Sequence, residues 1–276
     1  MAVAELGGHI FTVGGFDDQT QVVAAVDRFN PEDNTWSAVT PLPRPLHHVN
    51  LASLDGKLWL LGALEGGGFQ AVGVCLAYDP AADTWTPLQD MAAGTERGAA
   101  AVGVVGRRIL VAGGYRSGSV ADASVYLVDE NRWESLPALP VPRDHLVGAA
   151  VDGHFFAIGG RHGVLEARVD IFDVVTGTWA LGSDMPTARA GCSAAVVNGR
   201  IIVAGGEGNN AVTTGVFAET EAYAPLTDTW STLPAMRTPR HGTGAAAVGN
   251  ALFMPGGATR EGFGAVATHE VLLLEP

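Results

Sequence analysis

Arg143-Asp144-His145, Arg161-His162, Glu207 and Arg240-His241 are where this 276-residue chain concentrates side chains able to hold or move a proton. A carboxylate beside Arg and His suits acid–base work on a sugar ring, or the binding of a peptide carboxylate or amine. Glu207 is the one candidate for a catalytic acid or base; taken alone, it reads as a solvated loop acid. The arginines belong to a series, Arg44, Arg97, Arg143, Arg189 and Arg240. Recurrence of that kind points first to hydrogen bonding between repeated units through the planar guanidinium fork, with ligand contact by some members as the alternative.

Other chemistries lack their residues. The eight His are scattered, and only His47 and His48 are adjacent. Neighbours in extended chain point to opposite sides, which argues against joint metal ligation, so no metal and no cofactor are expected. Cys75 and Cys192 lie far apart and read as two buried thiols, with neither a disulfide framework nor zinc spacing. Gly66-Gly67-Gly68 has no following Lys or helical pattern, so it is not a phosphate loop. The net charge of −13 opposes binding to nucleic acid or anionic membrane. No apolar run approaches ~18 residues and no signal-peptide pattern opens the chain, which favours the cytoplasm.

These residues are positioned by a repeat. A hydrophobic run ends in a small-residue pair at Gly14-Gly15, Gly62-Ala63, Gly113-Gly114, Gly159-Gly160, Gly205-Gly206 and Gly256-Gly257, at spacings of 46 to 51 residues. Trp36, Trp85, Trp133, Trp179 and Trp230 follow five of the six, each seven residues after Phe29, Tyr78, Tyr126, Phe172 or Tyr223. In the fourth unit, Leu146 to Val151 and Phe155 to Ile158 flank Asp152-Gly153, a hairpin signal. Ala167 to Phe172 adds a third strand, and a short fourth surrounds Trp179. Apolar residues at 47% provide ample core, and 37 Gly fit a fold with many tight turns.

The order of small-residue strand, hydrophobic strand, Gly-Gly, aromatic, Trp and then Arg resembles the kelch repeat, at about the length of one propeller blade. The resemblance covers essentially the whole chain. It implies an all-β, six-bladed propeller of four-stranded antiparallel blades, forming a single domain over residues 1–276. The blades are expected at approximately 1–40, 46–90, 97–138, 144–184, 190–236 and 241–275. Met1 to Leu6 is expected as the inner strand of blade 1. Two units depart from the pattern: the second has Ala63 for Gly, and the sixth has no Trp. In the sixth, Leu274 is taken as the equivalent of the third-strand aromatic, and the outer strand is expected to be missing.

The resemblance also implies a ligand mouth at one end of the channel, lined by residues just after the Arg and just after the Gly pair. By position these are His47, His48, Gly98, Asp144, His145, Ala190 and His241, with Phe16, Leu64, Tyr115, Arg116, Arg161, His162, Glu207, Thr259 and Arg260. The expected ligand set is Tyr115, Arg116, Asp144, His145, Arg161, His162, Glu207, Asn210, His241 and Arg260. Unequal loops predict a taller sector over blades 5, 6 and 1, carrying Asn209, Asn210 and Phe263. Copper-radical oxidases of this architecture need a Tyr-linked Cys, and neither Cys falls in a mouth loop. The function expected is a binding module for a protein or small-molecule ligand, with self-association possible through an open blade 6 edge. The alternative is a carbohydrate-active enzyme similar to kelch-type sialate mutarotases or epimerases, using Glu207, Arg161, His145 and His162.

Overall fold

The computed structural model describes residues 1–275. Six antiparallel sheets follow one another along the chain, and successive inner strands contact each other around a ring that closes between the sixth sheet and the first. Blade 1 comprises Ala2–Leu6, His9–Val13, Val26–Asn30 and Thr35–Ala38; blade 2 comprises Leu51–Leu54, Lys57–Glu65, Gln70–Asp79 and Thr84–Pro87. Blade 3 comprises Ala101–Val105, Arg108–Ala112, Ala123–Leu127 and Arg132–Leu136; blade 4 comprises Val147–Val151, His154–Ile158, Val169–Asp173 and Thr178–Leu181. Blade 5 comprises Ser193–Val197, Arg200–Ala204, Thr220–Ala224 and Thr229–Leu233. Blade 6 has three strands among the described residues, Ala246–Val248, Ala251–Pro255 and His269–Leu273.

The hairpins form where the turn residues allow it. Asp152 and Gly153 take φ of +49° and +79°, the left-handed pair that lets a two-residue turn follow strand twist. Small residues line the axis because the blades converge there. A Cβ on Gly148 would lie 2.2 Å from the backbone nitrogen of Val102 in the neighbouring blade. Bulk increases outward, where each third-strand aromatic pairs across the strand with its Trp, Phe172 opposite Trp179 for example. Core clusters pack between adjacent sheets, so each blade is stabilised by both of its neighbours.

The repeated arginines explain how consecutive blades are joined. Arg97, Arg143, Arg189 and Arg240 are at most 1% exposed. Each donates Nη2–H to the carbonyl two residues before the Gly pair of its own blade: Val111, Ala157, Val203 and Met254, at 2.9–3.1 Å. Their own carbonyls accept from the previous blade instead: Gly114 donates to Arg143, Gly160 to Arg189 and Gly206 to Arg240. The first Gly of the pair must be Gly because a Cβ at Gly205 would sit 2.2 Å from the Arg240 carbonyl oxygen, at φ +65°. The arginines therefore work within a blade through the side chain and between blades through the backbone.

Arg44 does not belong to this set. It is exposed and pairs with Glu65 at 3.1 Å. The structural equivalent is Leu46, fully buried, whose carbonyl accepts from Gly15. Blade 2 substitutes an amide for the missing guanidinium: Asn50 Nδ2 donates to the carbonyls of Leu61 and Arg97, both at 2.9 Å.

Two further expectations are corrected. The residue opposite Leu252, where other blades carry their third-strand aromatic, is Leu272 and not Leu274. A slip of two residues keeps the same side chains on the same face, so the hydrophobic pattern does not distinguish the two registers. The loop of blade 6 is correspondingly two residues shorter than expected. Blade 2, outside the sector expected to stand tall, has a raised hairpin: its strand continues past a bulge at Gly62 to Glu65 and turns at Gly66-Gly67-Gly68-Phe69.

Candidate functional site

At one end of the channel, each connector pairs with the loop following the Gly pair of the blade it leads into: His47 with Leu64, Gly98 with Tyr115, Asp144 with Arg161, Ala190 with Glu207 and His241 with Ala258. The next connector residue lies closest to the axis. His48, Ala99, His145, Gly191 and Gly242 occupy this place, all at φ between +49° and +66°. Their backbones form a chain of hydrogen bonds around the mouth. Ala99 donates to His48, His145 to Ala99, Gly191 to His145 and Gly242 to Gly191, at 2.8–3.1 Å. The Met1 amino group donates to Gly242 at 2.9 Å. Left-handed backbone is strained for a residue bearing a Cβ, yet two of these five places hold imidazoles.

Those imidazoles meet across the channel. His145 Nε2 lies 3.1 Å from His48 Nε2, and His48 Nδ1 lies 2.6 Å from His47 Nδ1. His47 Nε2 reaches the Gly66 carbonyl at 3.0 Å. In the other direction, His145 Nδ1 is 2.5 Å from Asp144 Oδ1, which also accepts from Arg161 Nε at 3.3 Å. Ser119 Oγ donates to the second Asp144 oxygen. Arg161 Nη1 donates to Glu207 Oε1 at 2.8 Å, Glu207 Oε2 faces His241 Nδ1 at 3.1 Å, and His241 Nε2 faces the Arg260 carbonyl at 2.9 Å. One continuous polar network thus runs from the blade 2 hairpin to the blade 6 loop.

Burial sets the electrostatics. Desolvation lowers the pKa of His47, and lowers that of His48 well below the usual imidazole value, with the charges of His145 and Arg161 adding to the effect at His48. Burial opposes ionisation of Asp144, but its hydrogen bonds from His145 and Ser119 and the nearby Arg161 charge outweigh that, holding its carboxyl below the ordinary range.

Facing this network is an aromatic wall. Phe16 lies 5.2 Å from Phe263 and 6.0 Å from Phe69, and 4.5 Å from His47, between ring centroids. The cavity between the network and the wall measures about 520 Å³, within the range of small-molecule pockets. Asp17 and Glu261 also line it, near the Phe16 and Phe263 loops.

Of the expected ligand residues, Asp144, His145, Arg161, Glu207 and His241 are brought together in the network. Tyr115, Arg116, His162, Asn210 and Arg260 do not line the cavity. Arg116 pairs with Asp122 at 3.0 Å, His162 and Asn210 are exposed, and the Arg260 side chain folds over Gly264. Asn210 instead sits beyond the extra hairpin of blade 5, Glu207–Asn209 with Gly215–Val216. Glu207 is buried with both oxygens engaged, so it is not a solvated loop acid.

The joint placement of His47 and His48 is not legible in the sequence. The opposite-sides rule assumes extended chain, and His48 is left-handed, which turns both rings to the same side. Phe69 was missed because the blade 2 strand was expected to end at its small pair. The signal available in sequence was Ala63 itself, whose Cβ is compatible with a continuing strand.

Comparison with known proteins agrees with this architecture. Residues 95–257 match the KLHDC2/KLHL20/DRC7 Kelch-repeats domain, and residues 1–43 match the Kelch motif. Kelch-like protein terF of Aspergillus terreus (strain NIH 2624 / FGSC A1156) is 34% identical over 275 residues, spanning 93% of this chain and 60% of the relative. Kelch-like protein 15 of Homo sapiens is 29% identical over 238 residues, spanning 77% of this chain and 39% of its own. The chain thus spans less than two thirds of the length of these relatives. The structure titled "Structure of YjhT" superposes with a TM-score of 0.81 at 15% identity, covering 99% of this chain and 94% of that one, which shows a shared fold. With six kelch-type units, the joining arginines and a family match over more than half its length, the chain belongs to the kelch-repeat family.

Proposed function

We propose that this propeller is a binding module that takes its ligand in the channel mouth. The observation that carries the proposal is the contrast between identical backbone and differing side chains at the five left-handed connector places: where the scaffold needs only backbone, Ala and Gly suffice, yet blades 2 and 4 place His48 and His145 there. A site grafted on a repeat differs between repeats in this way. The cavity has one polar and one aromatic side, which suits an amphiphilic ligand or side chain. Glu207 and Asp144 have all their oxygens engaged, which favours binding over proton transfer by either carboxylate.

Soaking crystals with a mixed fragment set tests the proposal. Fragments held between Phe16 and His145 in the wild type, and lost with Arg161→Gln, are the expected result; fragments found everywhere except the mouth would contradict it. Turnover of a bound sugar by the wild type, abolished in Glu207→Gln, would favour the mutarotase-like alternative.

A second surface has its own observation. Val271 and Leu273 are 44% and 76% exposed on the outermost described strand of blade 6, and Trp36 of blade 1, 5.6 Å from His269 on the same strand, is 43% exposed. Apolar side chains along a strand edge favour pairing with another strand, and self-association there is proposed. Sedimentation should show a concentration-dependent dimer that Leu273→Lys abolishes; a monomer at high concentration would exclude it.

A further inference from the structure

The network's hydrogen-bond partners dictate where its protons lie, and the proton positions dictate what the ligand must bring. The Gly66 carbonyl can only accept, so His47 carries its hydrogen on Nε2 and presents a lone pair on Nδ1. His48 must then donate from Nδ1, which leaves its Nε2 as an acceptor. His145 donates to that acceptor from Nε2, while its Nδ1 faces the Asp144 carboxylate, another acceptor. Both nitrogens of His145 are therefore donors. The relay requires His47 and His48 to stay neutral, and burial lowers the pKa of both in that direction. The same logic applies to His241, held between the Glu207 carboxylate and the Arg260 carbonyl.

One consequence concerns Arg161. Its Nη2 lies 3.4 Å from both nitrogens of His145. With both nitrogens protonated, neither accepts from it. The guanidinium, 35% exposed and lining the cavity, thus has donors with no protein acceptor. The carboxylates of Asp144 and Glu207 are spent on their partners below it. With hydrogens placed as these partners require, His145, Arg161 and His241 stand as three cations against the two carboxylates, leaving one positive charge on this side of the mouth. Asp17 and Glu261 lie on the aromatic side and repel an anion from that end, which fixes the orientation.

We infer that the ligand of the mouth is a monocarboxylate with an apolar, ring-sized body, its carboxylate on Arg161 and its body against Phe16, Phe69 and Phe263. This rests on the proposal that the mouth is a binding site, and it names the ligand's chemistry. A free organic acid and a peptide carboxyl terminus share that chemistry.

The test is calorimetry with a panel of aryl and alicyclic monocarboxylic acids, each paired with its primary amide, and with short peptides ending in Phe as free acid or amide. The acid of at least one pair should bind ten-fold or more tighter than its amide, and Arg161→Gln should erase that preference. Tighter binding by the small acids or by the peptides identifies the source. His47→Phe removes the relay's lone pair while keeping a ring against Phe16, and should reduce the preference; ¹⁵N spectra of the wild type should show hydrogens on both nitrogens of His145. Equal binding of acid and amide, or a single-hydrogen His145, would overturn the carboxylate inference and leave the binding proposal standing. If no acid, amide or peptide occupies the mouth, the carboxylate inference falls, and the fragment soak decides the binding proposal.

Discussion

Two positions in each connector, two residues apart, can be compared around the ring. The first is Arg97, Arg143, Arg189 and Arg240, identical in four blades and buried. The second is Ala99, His145, Gly191 and Gly242, with His48 in blade 2, identical in backbone conformation and different in side chain. At the first place the side chain does the structural work, by reaching into its own blade, so it cannot vary without substitution of a partner; blade 2, with Leu46, needed Asn50. At the second place only the backbone amide and carbonyl are used by the scaffold. Side chains there are free to differ, and two of them became the centre of the polar network.

The largest effect that would test this contrast is at Arg143, which pairs with Asp170 in full burial. Arg143→Ala should cost about 3 kcal/mol in urea unfolding, because it breaks a buried ion pair, takes the donor from the Ala157 carbonyl and leaves the buried Asp170 carboxylate to Arg168 alone. Arg44→Ala should cost no more than about 1 kcal/mol, since Arg44 lies at the surface. Equal losses would remove the distinction between the buried set and Arg44.

Next in size is the contact between the Gly pair and the connector. Gly205→Ala should destabilise by about 1–3 kcal/mol, through left-handed backbone and the clash with the Arg240 carbonyl. An unchanged midpoint would show that the pair is not required for close approach.

A smaller effect depends on pH. His47 and His48 have folded-state pKa values below that of the unfolded chain, so between the two values the unfolded state binds more protons. Stability should therefore fall as pH drops below about 6.5. Asp144, with its pKa lowered, contributes stability that is present above the unfolded carboxylate value and lost only at more acid pH, as the folded value is crossed. In His48→Ala the decline near pH 6.5 should flatten; an unaltered profile would assign it to other groups. Smallest of all, Ala99→Gly should change stability by less than about 1 kcal/mol, as it exchanges a strained Cβ for a more flexible unfolded chain.

The repeat was legible because scaffold residues announce themselves by recurring. Trp85, Trp133, Trp179 and Trp230 each donate to a carbonyl of the preceding blade, Thr40, Gln89, Pro137 and Ser183, and this shared duty keeps their spacing constant. Asp144, His145, Arg161, Glu207 and His241 could be placed at the mouth by counting from Arg and Gly. What counting missed was conformation and register. Leu46 displaced Arg44 by two residues, Leu272 displaced Leu274 by two, and the left-handed turn at His48 reversed the expected divergence of two rings. Tyr115 and Arg116 satisfied the same positional rule, yet their loop in blade 3 is tied to itself through Ser119 and Asp122.

The most direct measurement pairs stability with binding in one variant, His145→Ala, a change that Ala99 shows the same backbone place accepts. The expected result is an unfolding free energy within about 1 kcal/mol of the wild type, together with loss of the fragments that the wild-type mouth holds. A loss of stability as large as that of Arg143→Ala, with fragment binding intact, would contradict it.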